Sequence, residues 1–272
     1  MIWSRKSVAL VIALSRHVQA IVNGTIAEEG QFPYSVTLWS YGRYAACGGF
    51  LITHQHVLTA AHCVQHLVNV SDANPQAKSG LALDGSPSRD FDTITLHPDY
   101  TLHPRANDIA VVWLKEPFPP QIEVARLPLP HTPLPAPGTH VQIAGWGSHY
   151  YEGPHSPVLM YADQVVEPTD TCDETWETIV EEKLTSPHFC AGPEEGIKGA
   201  CLGDGGDAVV EDNGVVSGLL YFASCINLQF GVPGVQVPIS TYLPFILQSI
   251  GMNVDNYYDR ARLEKFFSKR DL

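Results

Sequence analysis

The sequence predicts an all-β fold, two compact β units of comparable size followed by a helix near the C-terminus. Three features carry that reading. From residue 21 onward, short apolar segments alternate with turn residues. A proline-rich stretch at 127–137 divides this β-rich sequence into two halves; proline donates no ladder hydrogen bond and suits a crossing strap better than a strand. Apolar residues recur at clear helical spacing over 242–250, and Gly251 follows as a stop.

Taken in chain order, residues 1–20 behave differently from the rest. Arg5 and Lys6 precede the apolar run 8–14, and Val18-Gln19-Ala20 ends the stretch. A positive flank, a short apolar core and small residues before a cut are what signal peptidase reads. The run is far shorter than the roughly 20 residues that span a bilayer, so the expectation is a secreted, extracellular protein with no membrane span. The six cysteines, Cys47, Cys63, Cys172, Cys190, Cys201 and Cys225, form an even set without a CxxC pair. That suits disulfides in an oxidising compartment and argues against a zinc ribbon, although spacing alone leaves about 15 connectivities open. Asn23-Gly24-Thr25 and Asn69-Val70-Ser71 are glycosylation candidates, the second better placed because the first adjoins the expected new terminus.

The clearest strands are expected at 50–52, 109–114, 141–144 and 215–220, and a second helix is expected from near Thr171 through Glu182. Over 163–182 the chain carries Asp163, Glu167, Asp170, Asp173, Glu174, Glu177, Glu181 and Glu182 without a Lys or Arg. A solvated acidic face is the plain reading, and a docking surface for a basic partner is the sharper one. The formal net charge is −13, and loss of Arg5, Lys6 and Arg16 with the leader takes it to about −16. A field of that sign repels phosphate backbones, so nucleic acid is not an expected partner. The last stretch, 252–272, mixes basic residues with Tyr257, Tyr258, Phe266 and Phe267 and reads as a loosely docked tail.

Four separated segments stand out. They are Ile21-Val22-Asn23-Gly24 with Gln31-Phe32-Pro33 behind it, Cys47-Gly48-Gly49-Phe50 leading to Leu58-Thr59-Ala60-Ala61-His62-Cys63, Asn107-Asp108-Ile109-Ala110, and Cys201-Leu202-Gly203-Asp204. In this order, together with Ala144-Gly145-Trp146-Gly147, Phe189-Cys190-Ala191-Gly192 and Pro233-Gly234-Val235, they resemble the trypsin/chymotrypsin family of serine proteases over residues 21–251. The resemblance implies two packed antiparallel β-barrels with a C-terminal helix. The domains are then a signal peptide at 1–20, a protease-like domain at 21–251 whose halves join near 127–138, and a tail at 252–272.

By the same resemblance His62 is the general base and Asp108 the aspartate that orients it; a near-neutral imidazole takes the proton of a serine hydroxyl. The serine is missing. Where the family has Gly-Asp-Ser-Gly-Gly-Pro, this chain reads Gly203-Asp204-Gly205-Gly206-Asp207-Ala208. Either Gly205 replaces the serine or the serine is deleted, and both alignments leave no hydroxyl. Residues 203–208 hold no cysteine or threonine to substitute. In a related triad, loss of the serine costs roughly 10⁶ in turnover.

Other departures accompany it. Tyr221-Phe222-Ala223 replaces the family's Ser-Trp-Gly wall, bulk expected where a substrate strand lies. Gly199 stands at the expected floor of the specificity pocket, without an acidic anchor. Gly203 keeps the backbone donor of the oxyanion loop, whereas Asp207 is expected to bring a carboxylate near the developing negative charge. What the resemblance retains is structural: Ile21, once freed, supplies an amine that pairs with Asp204. Ala20 precedes Ile21, so signal peptidase alone can expose it without a zymogen stage, the rival being a cut after Ala13 with a short pro-segment. The resemblance also pairs Cys47–Cys63, Cys172–Cys190 and Cys201–Cys225, each worth about 2–4 kcal/mol.

No metal or other cofactor is expected, because His54-Gln55-His56, or His62 with His66, lacks a matching carboxylate or cysteine set. The expected protein is a secreted, catalytically inactive serine protease homologue that acts by binding an extracellular protein partner, as cofactor, decoy or inhibitor. The alternative is a serine endopeptidase with residual activity or an unrecognised nucleophile. A storage or matrix protein is the third class.

Overall fold

The computed structural model describes residues 21–257, apart from 41–42, 69–72, 104, 182, 224, 254 and 256. The expected leader, the sequon at Asn69 and most of the tail at 252–272 therefore lie outside the described residues.

A two-residue strand, β1 (Thr25–Ile26), comes first. The first unit follows with β2 (Ser35–Ser40), β3 (Arg43–Thr53), β4 (His56–Thr59), β5 (Gln76–Ser79) and β6 (Ser88–Leu96). A small hairpin of β7 (Thr101–Leu102) and β8 (Arg105–Ala106) precedes β9 (Ala110–Leu114). These strands close in the order β2-β3-β4-β9-β6-β5, with β5 pairing back onto β2. The second unit holds β10 (His140–Gly145), β11 (Met160–Glu167), β12 (Phe189–Gly192), β13 (Ala208–Glu211), β14 (Val216–Phe222) and β15 (Gly234–Pro238). They run β11-β10-β13-β14-β15-β12, β12 pairs back onto β11, and β1 adds to the outer edge of β11. Every ladder between these strands is antiparallel, so both expected barrels are present.

The reason is visible in single strands. Along β11, Met160, Ala162, Gln164 and Val166 are buried, while Tyr161, Asp163, Val165 and Glu167 face outward. That two-residue period turns one face of the pleat to the core. β9 departs from alternation. Ala110, Val111, Val112 and Leu114 are buried between β4 and β6 in the first barrel's interior and its covered outer face. Between β9 and β10 the proline-rich strap makes no strand, and a single bridge pairs Arg126 with Val215.

Helices are few. α1 (Ala61–Val64) follows β4 directly. The helix expected from near Thr171 begins earlier, as α2 (Thr169–Thr175) after Pro168, and continues as a π-helical turn over Trp176–Val180. It stops at Glu181, whose φ of +57° is left-handed. α3 (Ile239–Ser249) also starts before the expected 242, at the residue after Pro238, and Gly251 ends it at φ +70°. Its buried residues, Ile239, Tyr242, Leu243, Ile246 and Leu247, hold the helical spacing that the sequence advertises. No described helix is long and apolar enough to cross a membrane.

Candidate functional site

Segments from both barrels converge on one point. β4 runs into α1, which presents His62; the turn before β9 presents Asp108; and the loop between β12 and β13 brings in residues 203–207. Asp108 Oδ2 lies 2.6 Å from His62 Nδ1, and the His62 backbone N–H donates to Asp108 Oδ1 at 2.7 Å. The carboxylate is 3% exposed and the imidazole 34%. Asn107, held at φ +51°, sets the turn: its Nδ2 donates to Asp99 O at 2.9 Å and its Oδ1 accepts from Tyr242 Oη at 2.9 Å. An aspartate gripping both the ring and the backbone fixes the imidazole with its proton on Nδ1 and leaves Nε2 facing the other barrel.

What Nε2 faces is Gly205. A Cβ placed ideally on Gly205 falls 3.1 Å from His62 Nε2 and 3.3 Å from Cε1. Its neighbour Gly206 has φ +90° and no room for a side chain, since a Cβ there would sit 2.4 Å from Gly48 O and 2.5 Å from Thr59 Oγ1. Of the two alignments left open by the sequence, this geometry matches substitution of the serine by Gly205. The Gly48 N–H donates to Gly205 O at 2.8 Å, tying the two barrels together at this point.

The Ile21–Asp204 ion pair is not made in the full-length chain. Ile21 is fully buried but its nitrogen is a peptide nitrogen. Val22 exchanges backbone hydrogen bonds with Gly199 at 2.8 and 3.1 Å. The fully buried Asp204 instead accepts the Gly147 N–H at 2.8 Å and the Cys201 N–H at 2.9 Å. Its second companion is Asp207. That side chain does not face the cleft, as expected from sequence, but is fully buried against Asp204. The pair occupies a cradle of glycines. A Cβ at Gly48 would overlap Asp207 Oδ1, one at Gly145 would meet Asp207 Oδ2 and Asp204 Oδ1, and one at Gly147 would meet the Asp204 carboxyl. Burial raises the Asp204 pKa to about 7, against the two amide donors that lower it. Burial first, then the charge of Asp204, raises Asp207 well above the carboxylate range. The two carboxyls therefore hold protons that separated aspartates would release.

Gly203, at φ +100°, carries the oxyanion-loop backbone and packs against His155, whose Cε1 would lie 2.3 Å from a Cβ at that position. Burial lowers the His155 pKa. At the expected pocket floor, Leu228 methyls lie 3.2 and 3.6 Å from the Cβ direction of Gly199, and Gln164 Nε2 lies 2.8 Å from it. Leu228 is buried. Tyr221 corrects an expectation: it is buried and lines a cavity of about 20 Å³ behind Asp108 with Asn107, Ser186 and Gln236, so its bulk points inward. Phe222 is the wall residue, edge-on to Trp176 at 5.1 Å with the Arg105 guanidinium 4.5 Å over its ring.

The remaining candidates are dispersed. The three disulfides Cys47–Cys63, Cys172–Cys190 and Cys201–Cys225 are formed, and no described cysteine is free. Two groupings have histidine near sulfur, Cys47/His62/Cys63 and Cys172/His188/Cys190, but these sulfurs are in disulfides and offer no thiolate to a metal. His54 Nε2 contacts Ile122 O at 3.1 Å, while His56 bonds Thr53 Oγ1 and packs edge-on against Trp113. Asn23 is exposed, and its Nδ2 donates to Ile197 O at 2.6 Å. In the acidic segment Asp163 is held by Gln142 and Lys198 and Asp173 by His188, whereas Asp170, Glu174 and Glu177 are exposed. Sequence reasoning missed His155, the inward turn of Asp207 and the nearness of Cys63 Sγ, 3.5 Å from His62 Nε2. Nothing local marks the first two.

Residues 21–246 match the family model for trypsin. The chain is 34% identical to trypsin V-B of Rattus norvegicus over 86% of its own length and 90% of the relative's. It is 33% identical to putative trypsin-6 of Homo sapiens, over 86% of this chain and 90% of that one, and 32% identical to serine protease 1 of Canis lupus familiaris, over 86% and 91%. Among solved structures, neuropsin, a serine protease expressed in the limbic system of mouse brain, superposes with a TM-score of 0.72 at 22% identity, covering 85% of this chain and all of its own, a likeness of fold. From its match over residues 21–246, its double-barrel fold and its relatives, the chain belongs to the trypsin family of serine proteases.

Proposed function

We propose that this chain is a secreted, non-catalytic member of the trypsin family that acts by binding an extracellular protein, as cofactor, decoy or inhibitor. One observation carries the reading: the position facing His62 Nε2 is Gly205, which has no hydroxyl to give up a proton. The cover of Leu228 and Gln164 over Gly199 supports it, since a specificity pocket needs that space for a substrate side chain. Secretion is supported by the leader-like residues 1–20 and the three disulfides. The exposed Asp170, Glu174 and Glu177 supply a surface for a basic partner.

A serine endopeptidase is the second reading, favoured by the intact hydrogen bonds between His62 and Asp108 and by relatives that bear the name trypsin. Labelling with a serine-directed fluorophosphonate, beside turnover of a pooled peptide library, separates the two. No labelling and no cleavage are expected. Labelling or cleavage abolished by His62→Ala would establish the enzyme and end the binding-only proposal.

A further inference from the structure

The loss of the serine side chain changes what His62 faces. With Nδ1 committed to Asp108, Nε2 has Cys63 Sγ 3.5 Å away. The Cβ position of Gly205 lies 3.7 Å from the same sulfur and 3.1 Å from Nε2. The space that a side chain would fill is thus bordered by an imidazole nitrogen on one side and a disulfide sulfur on the other. An imidazolium Nε2–H is a donor placed on a sulfur, and a sulfur leaving a disulfide as thiolate departs faster when a proton is ready for it.

The molecule contains its own comparison. At Cys172–Cys190 a histidine also approaches the sulfurs, but His188 Nε2 contacts Asp173 Oδ1 at 2.8 Å and its Nδ1 contacts Ser186 O at 2.8 Å. Both of its nitrogens have oxygen partners. His62 is the one of these two whose second nitrogen meets sulfur.

We propose that Cys47–Cys63 is a thiol-exchange site in which the His62–Asp108 dyad serves as general acid toward Cys63. The co-reactant is a low-molecular-weight thiol. Its thiolate attacks Cys47 Sγ, forming a mixed disulfide there. The Cys47–Cys63 S–S bond breaks, and its electron pair goes to Cys63 Sγ, which takes the Nε2 proton of His62 in its imidazolium form and leaves the ring neutral with its remaining proton on Nδ1. A second thiolate attacks the external sulfur of the mixed disulfide and releases Cys47 as thiolate together with the small-molecule disulfide. The net change is two-electron reduction of the protein disulfide and oxidation of two small thiols. Cys63, 7% exposed, then lies beside His62 as a thiol whose anion an imidazolium would stabilise. The inference does not depend on whether the chain binds a partner or cleaves a substrate.

The test is limited reduction of the full secreted chain with glutathione, trapping with iodoacetamide, and mass-spectrometric mapping of each cysteine over pH 5–8. General acid catalysis by a placed side chain is worth about 10² or more, and the partial exposure of His62 argues for a smaller share. His62→Ala is therefore expected to slow opening of Cys47–Cys63 by about tenfold at pH 5–6. It should leave opening of Cys172–Cys190 and Cys201–Cys225 unchanged. His62→Gln, which keeps bulk without an acid, should behave likewise if the alanine variant folds poorly, with circular dichroism reporting the fold of both. Gly205→Val, which fills the space over the sulfur, should also slow Cys63 alkylation. Opening of Cys47–Cys63 at equal or faster rates in folded His62→Gln, at every pH, would overturn the proposal.

Discussion

Asp207→Asn is expected to flatten the pH dependence of stability, because it removes one of two buried carboxyls that keep their protons in the folded chain. The sign follows from the direction of the shifts. Burial raises Asp204 from 3.8 to about 7, and Asp207 moves the same way. In the unfolded chain both ionise near pH 4. Their contribution is complete below that pH and declines as pH rises toward and through the folded-state values. A group protonated in the folded state and ionised in the unfolded state costs about 1.4 kcal/mol per pH unit. For Asp204 the shift from 3.8 to about 7 spans about 4 kcal/mol. Asp207 adds a parallel slope across the same window. Asparagine keeps the shape of the side chain within the Gly48 and Gly145 cradle and can still donate to Asp204, but it does not titrate. The difference in unfolding free energy between variant and wild type should therefore drift by about 1.4 kcal/mol per pH unit between pH 5 and 7, in favour of the variant. Urea unfolding at half-unit pH intervals, in one buffer series, measures it; groups that titrate equally in both proteins cancel. Parallel curves across that window would show that Asp207 is ionised in the folded state and that the account of two protonated carboxyls is wrong.

Restoring the hydroxyl alone should not restore an efficient protease. In Gly205→Ser the Cβ would crowd His62 Nε2 at 3.1 Å, and a misplacement of about 1 Å costs around 10² in rate; turnover of a peptide library at rates comparable with an active trypsin would refute this. Asp204→Asn keeps one accepting oxygen and turns the other into an NH2 donor facing an amide N–H, so hydrogen exchange at the Gly147 or the Cys201 amide should accelerate while the β11 ladder stays protected. Unchanged exchange at Gly147 and Cys201 would sink the idea that Asp204 orders this loop. Neutralising Asp170, Glu174 and Glu177 together should slow association with a basic partner and reduce its salt dependence, since exposed charges are screened beyond a Debye length of about 8 Å. An association rate indifferent to both salt and these substitutions leaves the segment as a solvated face.

Much of this protein was legible from its sequence because the signals are local. Alternation along segments such as β11 specifies a half-buried strand, the proline strap cannot enter a ladder, and the spacing of Tyr242, Leu243, Ile246 and Leu247 specifies a helix face. The ordered motifs carried the double barrel, the three disulfide pairs and the absence of a hydroxyl in 203–208, since a missing side chain is a fact of composition and needs no geometry. Even the errors at helix starts were small, because Pro168 and Pro238 begin the helices earlier than the apolar spacing alone suggests.

The tertiary structure decided where the unusual side chains point. Asp207 reads as an acidic intruder in the cleft, yet two glycines distant in sequence, Gly48 and Gly145, leave a hollow that its carboxyl fills beside Asp204. Tyr221 reads as an obstruction, yet it turns toward the small cavity behind Asp108. Cys63 sits next to His62 in sequence, where neighbouring side chains usually diverge, and only the turn of α1 brings its sulfur to Nε2. Periodicity records which face of a strand or helix is buried, but the direction of a side chain in a loop depends on the volume left by residues far away in sequence. That volume exists only after the two barrels have packed together.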